Sequence, residues 1–254
     1  MTDPHTHITN HLLTAKSLPV SSSWLSQVLS SQRVTTTPLS ALTQTALFRI
    51  LASDFTTSLS RQPDYLLPVD ISDPSVQERR IPGPLPLQLL DIEDIGTSSW
   101  SQVEAIESIE RGEEMRGREI IRTVTRDESG DSTQTGSTAP DSTSGNNNNP
   151  SSRNGMSSTS SGPHRLVLQD ARGTKAIAID LKPVEGVATG KTAIGTKIVL
   201  NNATVARGMV LLEPASTVVL GGKIEQLDKE WRAGRKDRLV AKIEQQRADS
   251  ETSR

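Results

Sequence analysis

The chain of 254 residues contains no cysteine. Disulfides, thiolate metal sites and cysteine nucleophiles are therefore excluded, and the composition suits a reducing compartment. Aromatic residues are scarce too: three Trp, two Phe and one Tyr. No apolar run approaches the ~20 residues that cross a bilayer. The opening MTDPHTHITNHLLTAKSLPV has Asp3 and three histidines where a secretion signal would have a basic segment and then an apolar one. A soluble intracellular protein is expected. An excess of one charge is missing as well, since 28 Lys and Arg face 30 Asp and Glu for a formal net charge of −2. A dedicated nucleic-acid binder ordinarily carries a basic patch.

Apolar residues make up 33% of the chain, below the share of an ordinary globular domain. Part of the chain cannot bury enough surface to offset its ordering entropy, so one modest core with substantial disorder is expected. Residues 1–20 read as a disordered tail. SSSWLSQVLSSQ puts serines ahead of Trp24, Leu25, Val28 and Leu29, a helix start. In TPLSALTQTALFRILASDF, Thr37 is the expected N-cap and Pro38 the first helical residue, with a stripe through Leu39, Leu42, Ala46, Leu47, Ile50 and Leu51. Together residues 21–80 predict a small helical bundle.

From residue 81 the period changes. PGPLPLQLLDIEDI alternates Leu85, Leu87 and Leu89, and Ile92 and Ile95 keep the pattern after a bulge, as a strand would. The segment from Ser98 onward, with apolar residues at 100, 103, 106 and 109, predicts a short amphipathic helix. Residues 127–163 are low complexity with Met156 as their sole large apolar residue, a composition that cannot form a core. RLVLQ, the turn DARGT and KAIAIDL make a hairpin, and TKIVLNN, ARGMVLLEP and STVVLGG supply further β pieces. The count is about five short antiparallel strands, the arithmetic of an OB-fold barrel. It would span 81–222, with residues 100–163 inserted between its first two strands. Residues 223–247 predict a closing helix weakened at Gly234 by roughly 1 kcal/mol, and 248–254 a tail. The fold class is α+β.

Chemistry-bearing patterns are few. EGVATGKT imitates a phosphate loop, but that motif needs four residues between its glycines, a preceding buried strand and a following helix. Gly186 and Gly190 are separated by three, in a polar link ahead of a strand. His5, His7 and His11 lie in the tail without partners at ligand spacing. Asp91, Glu93 and Asp94 read as a solvated strand end, 91 and 93 on one face and 94 on the other. No GxSxG is present and nothing pairs a nucleophile with a base. No catalytic, cofactor-binding or metal residue is expected. Between residues 81 and 222 the sole aromatic is Trp100, so the barrel lacks the stacking platform for a single strand. Its face is expected to meet protein.

Gly195-Thr196-Lys197-Ile198-Val199-Leu200, then Arg207-Gly208-Met209-Val210-Leu211-Leu212-Glu213-Pro214, then Thr217-Val218-Val219-Leu220-Gly221-Gly222 resemble the end of the OB fold in the RecQ-mediated genome instability protein 1 family. PLQLLDIEDIGTSSWSQVEAI is similar to that family's first strand and the start of its inserted loop. The resemblance implies a non-catalytic, nuclear subunit that binds topoisomerase III and a RecQ-family helicase and stimulates decatenation and double Holliday junction dissolution. DNA would be met mainly through the complex. Partner contacts are expected at Lys197 and Arg207, cations among the apolar barrel rows, and at Trp100, Val103 and Ile106 in the better-patterned part of the loop, with Gly195, Gly221 and Gly222 serving the backbone. The chain is similar to the short, fungal form, so the small subunit recruited by a second barrel is not expected. The alternative is a nucleic-acid-binding OB module that uses the final helix and has no topoisomerase partner.

Overall fold

The computed structural model describes residues 3–32, 37–111 and 162–252. Nearly all of the low-complexity segment lies outside them. The N-terminal unit contains α1 (Pro4–Lys16), α2 (Ser22–Ser30), α3 (Leu39–Leu51) and the short α4 (Phe55–Ser58). The expectation of a tail over the first twenty residues is corrected by α1. Pro4 opens that helix, Ser17 closes it in the left-handed conformation, and Ile8 and Leu12, one turn apart, are fully buried. They join Leu25, Leu29, Leu42, Ala46, Ile50 and Phe55 in one apolar cluster. The cap of α3 is Pro38, with no side-chain hydrogen bond, rather than Thr37.

The β unit comprises β1 (Glu78–Ile81), β2 (Leu85–Asp94), β3 (His164–Gln169), β4 (Lys175–Asp180), β5 (Lys197–Leu200), β6 (Ala203–Ala206), β7 (Met209–Leu212) and β8 (Thr217–Gly221). They form one eight-stranded sheet in the order β1-β6-β7-β4-β3-β2-β5-β8. Every pairing is antiparallel except β4 with β7, which is parallel. Asn201 and Asn202 alone separate β5 from β6, near opposite ends of that order, so the sheet curls round and closes on itself. Asn202 takes φ 49° and its N–H bonds the Pro82 carbonyl at 2.8 Å, a conformation asparagine tolerates better than most residues. β5 and β6 are thus two halves of one bent strand. With β2, β3, β4 and β7 they make the five barrel positions of an OB fold, and β1 and β8 are additions at its margins.

β2 is the strand that organises the barrel. Its first half pairs with β5 and its second with β3, and the register slips between Leu89 and Asp91. That bulge resets the alternation, so Leu85, Leu87, Leu89 and Ile92 all reach the barrel core. Pro86 and Gln88 are buried on the opposite face, where the Gln88 side-chain oxygen accepts the Phe55 N–H of the helical unit. Beyond β2, α5 (Ser99–Glu110) packs on the last helix of the chain. The single closing helix expected is instead two, α6 (Glu225–Ala233) and α7 (Arg235–Thr252), parted at Gly234. Asp91 and Glu93 are not a solvated end. Asp91 accepts the Trp231 indole N–H at 2.6 Å and Glu93 pairs with Lys242, fastening both helices to the barrel. Asp94 caps the following turn, accepting from Gly96 N–H at 2.8 Å and Thr97 N–H at 3.0 Å.

Candidate protein-interaction face

The outer surface of the barrel follows from strand register. Across it run two rows of side chains, each crossing six strands. One is Asp91, Val167, Ile177, Met209, Ala206 and Glu78; the other is Glu93, Arg165, Ile179, Leu211, Thr204 and Arg80. Val167, Ile177, Ile179, Met209 and Leu211 occupy the middle, half-buried and outside both buried clusters. Charged residues stand at both ends. β4 shows why the face is unusual. Ala176 and Ala178 point into the narrow barrel while Ile177 and Ile179 point out, the reverse of what solvent on the outer face would favour. A contiguous apolar centre with a charged rim is the anatomy of a protein-binding surface. A groove of about 300 Å³ lined by Arg80, Leu181, Thr204, Leu211 and Glu213 continues the face at one end.

Of the residues expected to meet a partner, Lys197 does not lie on a surface. It is 0% exposed. Its Nζ donates to the Ser53 carbonyl and to Gln88 Oε1, both at 2.6 Å, and lies 4.5 Å from the centre of the Phe55 ring. Burial drives its pKa down to about 7, with Asp54 opposing. Lys197 is the bolt between barrel and helices. Val103 is also withdrawn, 7% exposed on the inner side of α5. Trp100 is 62% exposed in the first turn of α5 and Ile106 is half-buried. Arg207 is exposed at the tip of the β6–β7 hairpin, next to the apolar face, and its guanidinium donates to the Pro74 carbonyl at 3.3 Å.

Gly195, Gly221 and Gly222 all have positive φ. A Cβ on Gly195 would stand 2.4 Å from the Ile224 nitrogen, and one on Gly222 2.4 Å from the Leu51 carbonyl oxygen. The EGVATGKT segment closes on itself: Ala188 N–H donates to the Thr192 hydroxyl, which donates to the Gly186 carbonyl, each at 2.8 Å. It leads into β5, not into a helix.

The family model for the RMI1 N-terminal OB-fold domain matches residues 67–235, and that for the RMI1 N-terminal helical domain matches 12–58. The chain belongs to the RMI1 family. The OB-fold match alone spans every barrel strand together with α5 and α6. RecQ-mediated genome instability protein 1 of Schizosaccharomyces pombe (strain 972 / ATCC 24843) is 32% identical over 152 residues. That similarity covers 60% of this chain and 61% of the fission-yeast protein, less than two thirds of its length. The five outer apolar residues escape a search for functional residue types. The signal was in KAIAID, whose alanines and isoleucines alternate so that one of its two faces had to be large and apolar.

Proposed function

We propose that this chain is a non-catalytic accessory subunit that docks on topoisomerase III and helps couple it to a RecQ-type helicase in the nucleus. In that role it stimulates decatenation and double Holliday junction dissolution during DNA recombination and repair. The observation that carries the reading is the outer apolar centre of Val167, Ile177, Ile179, Met209 and Leu211. Family membership supports the choice of partner. The S. pombe relative is named for RecQ-mediated genome instability, which supports a place in the RecQ pathway. A nucleic-acid-binding barrel is the weaker alternative, because neither outer row contains an aromatic side chain on which a base could stack.

The test titrates the full chain into topoisomerase III of the same organism by calorimetry, with decatenation measured in the same samples. Ile177→Asp and Met209→Asp put a carboxylate in the middle of the apolar face and leave the core untouched. Each is expected to weaken association by about thirtyfold or more, as loss of an interface anchor does, and to remove the stimulation, with an unchanged melting curve. Association that survives both substitutions, or none at micromolar concentration, would overturn the proposal.

A further inference from the structure

Where β2, α5 and the α6–α7 junction meet, a cavity of about 200 Å³ opens, lined in part by Gln102, Thr189, Trp231, Arg235, Arg238 and Lys242. Two features set it apart. The guanidinium carbons of Arg235 and Arg238 lie 5.7 Å and 5.5 Å from the Trp231 ring centre, and neither arginine forms an ion pair within the described residues. Arg235 is half-buried, and its one side-chain bond is a long 3.4 Å contact to Gln102 Oε1. Burial lowers its pKa, Asp94 opposing and Arg232 and Arg238 adding to the shift. In addition, the Thr189 hydroxyl is buried, on a residue 8% exposed, without a hydrogen-bond partner among the described residues. A half-buried cation without a close ion pair, its burial only partly offset by Asp94, and a buried hydroxyl without a partner among the described residues are each unfavourable alone. One oxyanion would satisfy both.

The acids of the cavity are already engaged. Asp91 accepts from Trp231 Nε1, and Glu93 pairs with Lys242 and, at 3.9 Å, with Arg165. Gly234 leaves room for Arg238, since a Cβ there would stand 2.8 Å from its guanidinium, and Arg238 is positioned by donating to the Trp231 carbonyl at 2.7 Å. The volume is below the roughly 300 Å³ at which pockets for whole small molecules begin, and it suits a single tetrahedral group. Guanidinium pairs are the side chains best matched to phosphoryl oxygens.

We propose that this cavity is a binding site for a phosphomonoester dianion, free or carried on a polypeptide side chain. Arg235 and Arg238 would supply the charge-assisted donors and Thr189 a neutral one. The site lies between α5 and α7 at the Asp91 and Glu93 end of the outer rows, beside their apolar centre, and its test uses the chain alone, without the docking partner.

The experiment titrates the full chain with sodium phosphate, with a phosphoserine peptide and its unphosphorylated twin, and with a short single-stranded oligonucleotide. Binding is followed by calorimetry and by the rise in melting temperature that a ligand of the folded state produces. Phosphate and the phosphopeptide are expected to bind and the unphosphorylated peptide not to. Binding of phosphate alone, without the phosphopeptide, would assign the site to the free ion. In Arg235→Gln/Arg238→Gln the affinity should fall about tenfold or more, and in Thr189→Val a few-fold, as charged and neutral donors differ. Both are checked for an unchanged ligand-free melting curve. Absence of any response at about 10 mM phosphate, far above the range of a specific site, would overturn the proposal. So would a response retained in the double variant. Arginine-dependent binding of the oligonucleotide without binding of phosphate would reassign the cavity to a phosphodiester backbone.

Discussion

Lys197 Nζ and Gln88 Oε1 are 2.6 Å apart at the centre of the seam between the helices and the barrel. The same oxygen accepts the Phe55 N–H at 3.0 Å, so one amide carbonyl on β2 gathers a donor from β5 and another from α4. Lys197→Met keeps the length of the side chain and leaves the Ser53 and Gln88 oxygens short of a donor. A loss of roughly 2–4 kcal/mol in urea unfolding is expected, the range for breaking one side of a buried polar network. Lys197→Glu would set a carboxylate against two carbonyl oxygens and should be worse. A partner-binding defect in that variant would therefore report on folding and not on an interface.

The same lysine gives the fold a pH dependence. Its pKa is lowered from 10.5 to about 7 in the folded chain, so between those values the unfolded state holds the proton and the folded state has released it. Stability then rises with pH through that window, and below it the burden of a buried charge is fully present. The slope approaches about 1.4 kcal/mol per pH unit at most. Urea midpoints measured from pH 7 to 10 should climb relative to those of Lys197→Met, in which this contribution is gone. Parallel profiles would show that Lys197 does not titrate there.

Asp170 holds the other end of the seam. In the β3–β4 turn its fully buried carboxylate accepts the N–H groups of Arg172, Gly173 and Thr174, and also that of Leu67 from the segment ahead of β1. Its neighbour Ala171 lies in the helical cluster. Asp170→Ala leaves these donors without a partner and should cost about 3–5 kcal/mol, read by urea unfolding. Asp170→Asn keeps the oxygen that serves the turn and should recover part of the loss.

Much of this architecture was legible from sequence. Leu85, Leu87 and Leu89 with a slip before Ile92 fixed the first barrel strand, and the DARGT turn fixed the hairpin. The remainder was hidden for physical reasons. Ile8 and Leu12 are one apolar pair in a polar helix, too thin a stripe to distinguish from a tail. β1 and β6 are four residues each, and their ladder exists only because Asn202 bends the chain. Lys197 has the most misleading identity, since a cation between apolar residues reads as a strand's wet face. Its burial depends on Ser53 and Gln88, 144 and 109 residues away, which no local pattern conveys.

Gly221 and Gly222 separate backbone conformation from close approach. Both have positive φ, 81° and 90°, where a side chain is disfavoured by roughly 1–2 kcal/mol. A Cβ on Gly221 would meet nothing within 4 Å, whereas one on Gly222 would strike the Leu51 carbonyl oxygen at 2.4 Å, at the C-terminal end of α3. Gly221→Ala should therefore lose only that conformational term in urea unfolding. Gly222→Ala must also push α3 away from the β8–α6 turn, opening the seam that Lys197 and Asp170 hold elsewhere. Its loss should be larger by about 1–3 kcal/mol, as overpacking a tight contact is, and proteolysis near Ala52 and Ser53 should quicken in this variant alone. Equal losses in the two alanines would mean that the approach of Leu51 to Gly222 contributes nothing to the docking of the helical unit.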